Sequence, residues 1–163
     1  MAELLALSAP VGALLKDRRQ TIAVAESSTG GLVSAALLTV PGASAYFRGG
    51  GVVYTREAKI ALAGISEAAL DSDRAATEAH ALALAHAMRG RMGTDWAIAE
   101  TGAAGPTGNR YGDPAGHSCI AVVGAVEQVI TVRTGEDDRE TNMWAFTRAA
   151  FDLLAKALDE AAE

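Results

Sequence analysis

Short apolar runs alternate with helical segments along most of this sequence, and this alternation restricts its fold more than any other feature. Residues 21–25 and 96–99 are compact apolar runs bounded by polar residues, which is typical of buried strands. Two further runs, at residues 119–123 and 129–132, are close enough to form a hairpin near residue 126. The pattern predicts an α/β protein, a three-layer α/β/α sandwich around a mixed, mostly parallel sheet.

The helical segments lie between and around these runs. Pro10 interrupts an N-terminal helix, which either kinks there or gives way to a second helix that starts at Ser8. Residues 32–38 and 57–62 read as helices and residues 52–54 as a strand, while a long alanine-rich helix up to Met88 has Asp71 or Ser72 as its cap. The final helix is the clearest element, because large apolar residues recur at helical spacing on one side of it: Trp144, Phe151, Leu154 and Leu158.

The composition fits one domain over residues 1–163, because a chain of 163 residues that is 50% hydrophobic can bury a substantial core. Its formal net charge of −6 and the lack of a basic cluster argue against direct binding to nucleic acid. Cys119 is the only cysteine, which excludes an intrachain disulfide and favours the cytoplasm. We expect no association with membranes, since no signal peptide or spanning segment is evident.

Two loops that follow strands are candidate binding sites, because ligands of α/β sheets usually lie beyond the strand ends. The first, from Glu26 to Gly31, places hydroxyls and two glycines before a helix. This arrangement suits a phosphate at the helix N-terminus, although simple capping by Ser28 or Thr29 explains it at least as well. The second runs from Gly102 to Gly116; loops of this length are often functional, but its turn-forming residues also suit a plain surface loop.

The segment from residue 41 to residue 59 carries Ser44, Tyr54 and Lys59. A serine hydroxyl is a weak nucleophile unless a base accepts its proton. Lysine can be that base when burial lowers its pKa from about 10.4, and a tyrosine nearby can hold or relay the proton. Spacing alone still favours a turn role for Ser44 and a solvated Lys59.

The histidines offer no competing catalytic or metal site. His80 and His86 are six residues apart in one predicted helix and therefore face different directions. His117 lies near Cys119, but a zinc site needs three or four ligands. We therefore predict no metal site.

Three motifs, taken in order, resemble the CinA C-terminal-domain family, the PncC-type nicotinamide mononucleotide deamidases. Residues 25–31 are similar to the family's A-E-S-C-T-G-G, and residues 102–106 to its G-I-A-G-P. Between them, residues 42–47 and 53–59 are similar to G-S-S-x-W-F and Y-S-N-x-A-K. The resemblance covers almost the whole chain, and the three motifs together are specific.

The resemblance implies an amidohydrolase that replaces the carboxamide nitrogen of nicotinamide mononucleotide with oxygen from water and needs no metal or redox cofactor. By position it implies Ser44 as nucleophile, Lys59 as base and Tyr54 as an assisting hydroxyl. It also implies that the two glycine loops and a residue of the family's G-D-R segment hold phosphate and ribose: Ser27, Thr29, Gly30, Gly31, Gly102, Gly105 and Arg139.

The sequence departs from the family pattern at several points. Ser28 stands in place of cysteine, Ala43 in place of the first of two serines, and Tyr46 where tryptophan is common. The loop at residues 109–116 lacks the usual glycine run, and residues 134–139 carry extra acidic side chains. Two alternatives therefore stay open: a non-catalytic nucleotide-binding module and an amidase for a related amide. We expect a small-molecule nucleotide substrate and, from symmetry base rates, a homodimer.

Overall fold

The computed structural model describes residues 2–162, in which five strands form one sheet between two layers of helices. The strands, in chain order, are β1 (Ile22–Glu26), β2 (Phe47–Val52), β3 (Trp96–Ala103), β4 (His117–Val123) and β5 (Glu127–Arg133). The helices are α1 (Ala2–Asp17), α2 (Leu32–Thr39), the single turn α3 (Arg56–Ala58), α4 (Glu67–Ser72), α5 (Glu78–Met92) and α6 (Arg139–Glu160). A π-helical turn, Lys59–Ala63, extends α3.

The sheet is mixed, as the sequence predicts, and its strand order is β2-β1-β3-β4-β5. β1 pairs in parallel with both β2 and β3, whereas β4 runs antiparallel to its neighbours β3 and β5. β1, β2, β3 and β5 therefore run in the same direction, although two of the four strand pairs are parallel and two are antiparallel. The predicted hairpin is the β4–β5 pair.

Side-chain size differs between the two faces of the sheet and decides which helices pack on each. Large residues such as Ile22 and Val24 face the layer formed by α1, α2 and α6. Alternate positions, such as Ala23 and Ala25, are small and face the alanine-rich helix α5. Because these alanines have little bulk, α5 can approach the sheet closely.

Two predicted element boundaries are wrong, and one of two open alternatives is excluded. α1 is one continuous helix through Pro10, so no second helix starts at Ser8. β2 is the glycine-rich run Phe47–Val52 rather than residues 52–54. This run pairs along β1 because small residues suit the close packing there: a Cβ on Gly50 would lie 2.6 Å from the Ser34 hydroxyl. The long alanine-rich helix α5 begins after Thr77 and not after the predicted cap at Asp71 or Ser72, which end the separate helix α4; Thr77 caps α5 by accepting a hydrogen bond from the His80 N–H at 3.2 Å.

The topology brings the carboxyl ends of β1, β2 and β3 to one edge of the sheet. Glu26, at the end of β1, pairs with Val52 at the end of β2. From β1 the chain proceeds to β2 on one side and later returns to β3 on the other, so connections diverge at this edge. Such a divergence leaves a crevice in which α/β proteins commonly bind ligands.

Candidate active site

A cavity of about 630 Å³ lies at this carboxyl edge. Ser27 enters it directly after β1, Tyr54 and Lys59 enter it after β2, and Thr101 and Gly102 line it from the end of β3. The structure thus brings together four of the residues that the sequence singled out: Ser27, Tyr54, Lys59 and Gly102.

Ser44 does not belong to this group. It lies in a one-turn 3-10 helix that precedes β2, at the edge where Phe47 pairs with Ile22. Tyr54 and Lys59 follow the opposite end of that strand, and the six residues of β2 span roughly 17 Å at about 3.3 Å per residue. This separation argues against the prediction that Ser44 is the nucleophile that Lys59 activates, because Ser44 and Lys59 lie at opposite ends of β2 and Ser44 does not line the cavity.

Ser27 is the serine that shares the cavity with Lys59. The residue is buried, with 7% of its surface exposed. Its backbone N–H donates to Oε2 of Glu100 at 3.1 Å, while its hydroxyl has no hydrogen-bond partner among residues 2–162. The backbone is therefore fixed and the hydroxyl is free to react.

The Glu100 carboxylate organises this loop from the middle of β3. Besides Ser27, it accepts hydrogen bonds from the Thr29 N–H at 2.9 Å and the Ser118 hydroxyl at 2.8 Å. The hydroxyls of Ser28 and Thr29 also donate to it. Glu100 is completely buried, and these donors replace the water that its charge loses on folding.

A second buried carboxylate, Glu26, caps helix α2. It accepts the backbone N–H groups of Val33 at 2.8 Å and Ser34 at 3.0 Å, and the Thr29 hydroxyl at 3.0 Å. The Val33 and Ser34 N–H groups, which a phosphate at this helix end would need, are thus already satisfied by a negative charge. This argues against the phosphate site predicted at Thr29, Gly30 and Gly31, and the N-cap residue of α2 is Gly31 and not the predicted Ser28 or Thr29.

Lys59 reaches the cavity from the first π-helical residue and is 7% exposed. Burial lowers the pKa of its ammonium group, and the negative charge of Glu100 opposes that shift. Lowering the pKa increases the fraction of neutral amine at a given pH, which is the form that can accept a proton.

His80 lies beside this lysine at the start of α5 and is 1% exposed. Burial, and then the positive charge of Lys59, lower the pKa of its imidazole. Its Nδ1 faces the Asp73 carbonyl oxygen at 2.9 Å, so Nδ1 carries the proton and Nε2 the lone pair. Nε2 is buried and has no partner among the described residues.

Positive side chains also line the cavity, although the chain as a whole is acidic. Arg74 pairs with Asp113 at 2.7 Å and holds the pKa of that carboxyl at about 2. The guanidinium groups of Arg74 and Arg110 lie 5.0 and 5.5 Å from the centre of the Tyr111 ring. With Arg56, also on the cavity wall, they form a cationic wall, defined here as Arg56, Arg74 and Arg110.

A strained residue holds part of this wall in place. Ala76 is buried and adopts a left-handed backbone conformation with φ of 60°, which is unfavourable for a residue with a Cβ. Its N–H donates to the Thr101 hydroxyl at 3.0 Å, and its carbonyl oxygen lies 2.8 Å from Nε2 of His117. Side chains of β3 and β4 thus fix the turn that carries Arg74.

Arg139 connects two other predicted site residues. It begins α6 and donates to the Gly105 carbonyl oxygen at 2.6 Å and to the Tyr54 hydroxyl oxygen at 3.2 Å. Gly105 has φ of 113°, and a Cβ there would lie 2.5 Å from the Asp137 carbonyl oxygen. The three residues therefore form one contact at the rim, but only Tyr54 lines the cavity itself.

Several residues of the site were missed from the sequence: Glu100, which is buried beneath the loop, and His80 and the cationic wall, which line the cavity. Sequence spacing gives no signal for Glu100 or His80, since each lies within an ordinary strand or helix. The departure of residues 109–116 from the family pattern was a usable signal, because Asn109, Arg110 and Tyr111 line the cavity. Within residues 2–162 no cluster of three His, Cys, Asp or Glu side chains is arranged to hold a metal ion.

The fold and the cavity together define a class: an α/β protein with a buried serine and lysine at the carboxyl edge of its sheet. The family model of the CinA C-terminal domain matches residues 5–158, and the chain belongs to that family.

Two relatives show the extent of the sequence similarity. The chain is 36% identical over 155 residues to a CinA-like protein of Thermosynechococcus vestitus, covering 93% of this chain and 37% of the relative. It is 39% identical over 138 residues to a CinA-like protein of Synechocystis, covering 85% of this chain and 33% of the relative. The chain thus spans about a third of the length of these curated relatives.

Solved structures match over nearly their full length. The competence/damage inducible protein CihA from Agrobacterium tumefaciens superposes with a TM-score of 0.87 at 30% identity, covering 96% of this chain and 95% of that one. A CinA superfamily protein from Escherichia coli gives a TM-score of 0.88 at 26% identity, covering 94% of this chain and 90% of that one. No helix within residues 2–162 is long and apolar enough to cross a membrane.

Proposed function

We propose that this protein is a nicotinamide-nucleotide amidohydrolase that converts nicotinamide mononucleotide and water to nicotinic acid mononucleotide and ammonia. The observation that carries the proposal is the shared cavity of Ser27 and Lys59, a buried serine with a free hydroxyl and a buried lysine with a lowered pKa. A nucleophile and a base in one partly enclosed site are the minimum for hydrolysis of an unactivated amide.

In the first half of the reaction, the neutral Lys59 amine accepts the Ser27 hydroxyl proton as Oγ attacks the carboxamide carbon. The C–O bond forms and the carbonyl π electrons move to oxygen, giving a tetrahedral oxyanion. When the oxyanion collapses, the C–N bond breaks, and the leaving nitrogen takes the proton from Lys59 and departs as ammonia. The product of this half is an ester between Ser27 and the pyridine acid.

Water completes the reaction through the same groups. Lys59, neutral again, accepts a proton from water as the water oxygen attacks the ester carbon. The second tetrahedral intermediate collapses, the bond to Ser27 Oγ breaks, and Oγ recovers the proton from Lys59. The acid product leaves, and the enzyme regains its starting state without any net change of charge.

The loop that follows Ser27 offers a donor for the oxyanion. The N–H of Ser28, the residue after the nucleophile, has no hydrogen-bond partner among residues 2–162, whereas the N–H groups of Ser27 and Thr29 both donate to Glu100. An N–H fixed in this way needs no reorganisation as the charge develops, and such donors contribute about 3–4 kcal/mol to transition-state stabilisation in other hydrolases.

Tyr54 is positioned to assist at the rim of the cavity. Its hydroxyl oxygen accepts a hydrogen bond from Arg139 at 3.2 Å, which leaves its own O–H free to donate to the substrate or to the departing nitrogen. This role corresponds to the one that the family resemblance implies.

The cationic wall supports a phosphate-bearing substrate. Arg56 and Arg74 are already paired with Asp71 and Asp113, whereas Arg110 has no ion-pair partner among residues 2–162 and can offer its full charge to the substrate. Guanidinium groups recognise phosphate through paired charged hydrogen bonds. We therefore assign the phosphate to the cationic wall and not to the N-terminus of α2.

A related amide is the second candidate substrate. The specific observation in its favour is that part of the cavity wall comes from a loop that departs from the family pattern, through Asn109, Arg110 and Tyr111. The alternative of a pure binding module predicts tight binding of the mononucleotide without turnover.

Incubation of the purified protein with nicotinamide mononucleotide tests these possibilities in one experiment. Ammonia release is measured together with chromatographic identification of the nucleotide product, and nicotinamide riboside and nicotinamide are offered in parallel. Equal amounts of ammonia and nicotinic acid mononucleotide are expected. Binding of the mononucleotide without ammonia release would favour the binding module, and faster release from another amide would favour the second candidate.

A further inference from the structure

The β5 strand forms an open edge of the sheet. It is last in the strand order, and within residues 2–162 it pairs only with β4, through seven residues in regular register without a bulge. It contains no proline or lysine and no glycine, although natural proteins use proline, lysine and bulges to prevent edge strands from pairing with other chains. Its outward N–H and C=O groups are therefore available for a further strand.

The sequence of β5 is complementary to itself when two copies run antiparallel about Ile130. In that arrangement Glu127 of each copy lies opposite Arg133 of the other, so the two ends of the ladder carry opposite charges. Both residues are exposed, and both lie on the face of the sheet that packs against α5. No other register aligns both charged ends of the strand with opposite charges.

The other face of β5 continues this surface. A shallow groove of about 250 Å³ lies between β5 and α6, with Ile130, Ala149 and Leu153 as its apolar lining. Asp152 and Lys156 border it one helical turn apart. When two copies of β5 pair antiparallel about Ile130, the two α6 helices also run antiparallel to each other, so each Asp152 can approach the Lys156 of the second copy.

We propose that a second copy of this chain docks on this surface by antiparallel β5–β5 pairing about a two-fold axis at Ile130. The result is a continuous sheet of ten strands, with the two apolar grooves facing each other across the axis. An isologous interface of this kind closes after two copies, so the product is a dimer and not a filament. The proposal does not depend on the amidohydrolase activity, since β5 contributes no residue to the cavity.

Charge exchange at the two ends of β5 tests the pairing specifically. Glu127→Arg and Arg133→Glu each oppose like charges at both ends of the ladder, whereas the double variant restores opposite charges. Sedimentation velocity of the wild type, at tens of micromolar, is expected to show a species of twice the 16.7 kDa chain mass. Each single variant is expected to weaken the dimer at least tenfold, and the double variant to recover most of that loss.

Two further variants separate pairing from other effects of these changes. Glu127 also bonds to His86 at 2.7 Å, so His86→Ala removes that pair alone and is expected to leave the dimer intact. Ile130→Lys places two positive charges on the axis and is expected to yield a folded monomer by circular dichroism. A monomeric wild type, or a dimer that both single variants and Ile130→Lys leave unchanged, would overturn the proposal.

Discussion

The backbone N–H of Ser27 donates a hydrogen bond to Oε2 of Glu100 at 3.1 Å, which ties the end of β1 to the middle of the adjacent strand β3. The same carboxylate accepts from the next two residues of the loop. A single buried side chain therefore fixes the backbone from which the proposed nucleophile projects, and the neighbouring strand supplies the rigidity that a catalytic serine needs.

Replacement of Glu100 by glutamine should destabilise the protein. The amide places N–H groups where the loop already supplies donors, so at least one buried polar group loses its partner. Each such loss costs about 1–3 kcal/mol. We expect the free energy of unfolding in urea to fall by about 3 kcal/mol. Glu67→Gln, an exposed position in α4, is the matched control and should change it by less than about 0.5 kcal/mol. An equally small effect at Glu100 would contradict its role.

Lys59 should make stability depend on pH in a defined direction. Its pKa is lowered in the folded state, so between that pKa and the unfolded value of 10.5 the unfolded chain binds more protons. The contribution of Lys59 to stability therefore rises with pH through this window, and below it the buried charge is unfavourable. Lys59→Met should raise Tm at pH 7 by about 2–4 °C for each kcal/mol of the cost of burying the ammonium charge that it removes. This gain should shrink towards pH 10.5. A gain that is constant with pH would argue against a buried charge.

Arg110 should contribute to binding through the phosphate of the substrate. We expect Arg110→Ala to raise KM for nicotinamide mononucleotide about tenfold, because a charged hydrogen bond contributes about 1.5–3 kcal/mol. The same variant should change KM for nicotinamide riboside, which lacks the phosphate, by less than about twofold, since no such bond is lost. Arg148→Ala is the control, since Arg148 pairs with Glu3 away from the cavity. Equal effects on both substrates would remove Arg110 from the phosphate site.

Ala76→Gly should stabilise the protein, unlike most alanine-to-glycine changes. Glycine adopts a φ of 60° without the cost of about 1–2 kcal/mol that a Cβ imposes. Part of that gain is offset by the greater freedom of glycine in the unfolded chain, so we expect a net gain of about 0.5–1 kcal/mol in urea unfolding. Ala83→Gly, within helix α5, should instead lose about 1 kcal/mol. A loss at both positions would show that Ala76 is not strained.

The sequence predicts the layers of the fold well because burial and local spacing determine them. The apolar runs at residues 21–25 and 96–99 lie within or next to β1 and β3, and the hairpin of β4 and β5 follows from two adjacent apolar runs. The start of α5 has a different origin. The turn at Ala76 is held by Thr101 and His117 from distant strands, so the local sequence places the start of this helix too early, at Asp71 or Ser72.

In the candidate site, too, some residues can be predicted from local sequence and others depend on contacts between distant segments. Lys59 and Tyr54 were predicted because the short segment that carries both resembles a family motif. The choice between Ser27 and Ser44 requires knowledge of the strand edge at which each serine lies, which follows from the register of β1 and β2 and not from sequence spacing. The Glu100 carboxylate lies 73 residues beyond Ser27, so only the folded chain reveals their contact.

Ammonia release from nicotinamide mononucleotide by two serine variants tests the central claim most directly. Ser27→Ala should lower kcat by at least about 10³-fold, because the nucleophile is lost, while calorimetry should show that the mononucleotide still binds. Ser44→Ala, at the opposite edge of the sheet, should retain kcat within about twofold. Full activity in Ser27→Ala, or its loss in a folded Ser44→Ala, would contradict the assignment of Ser27 as the nucleophile.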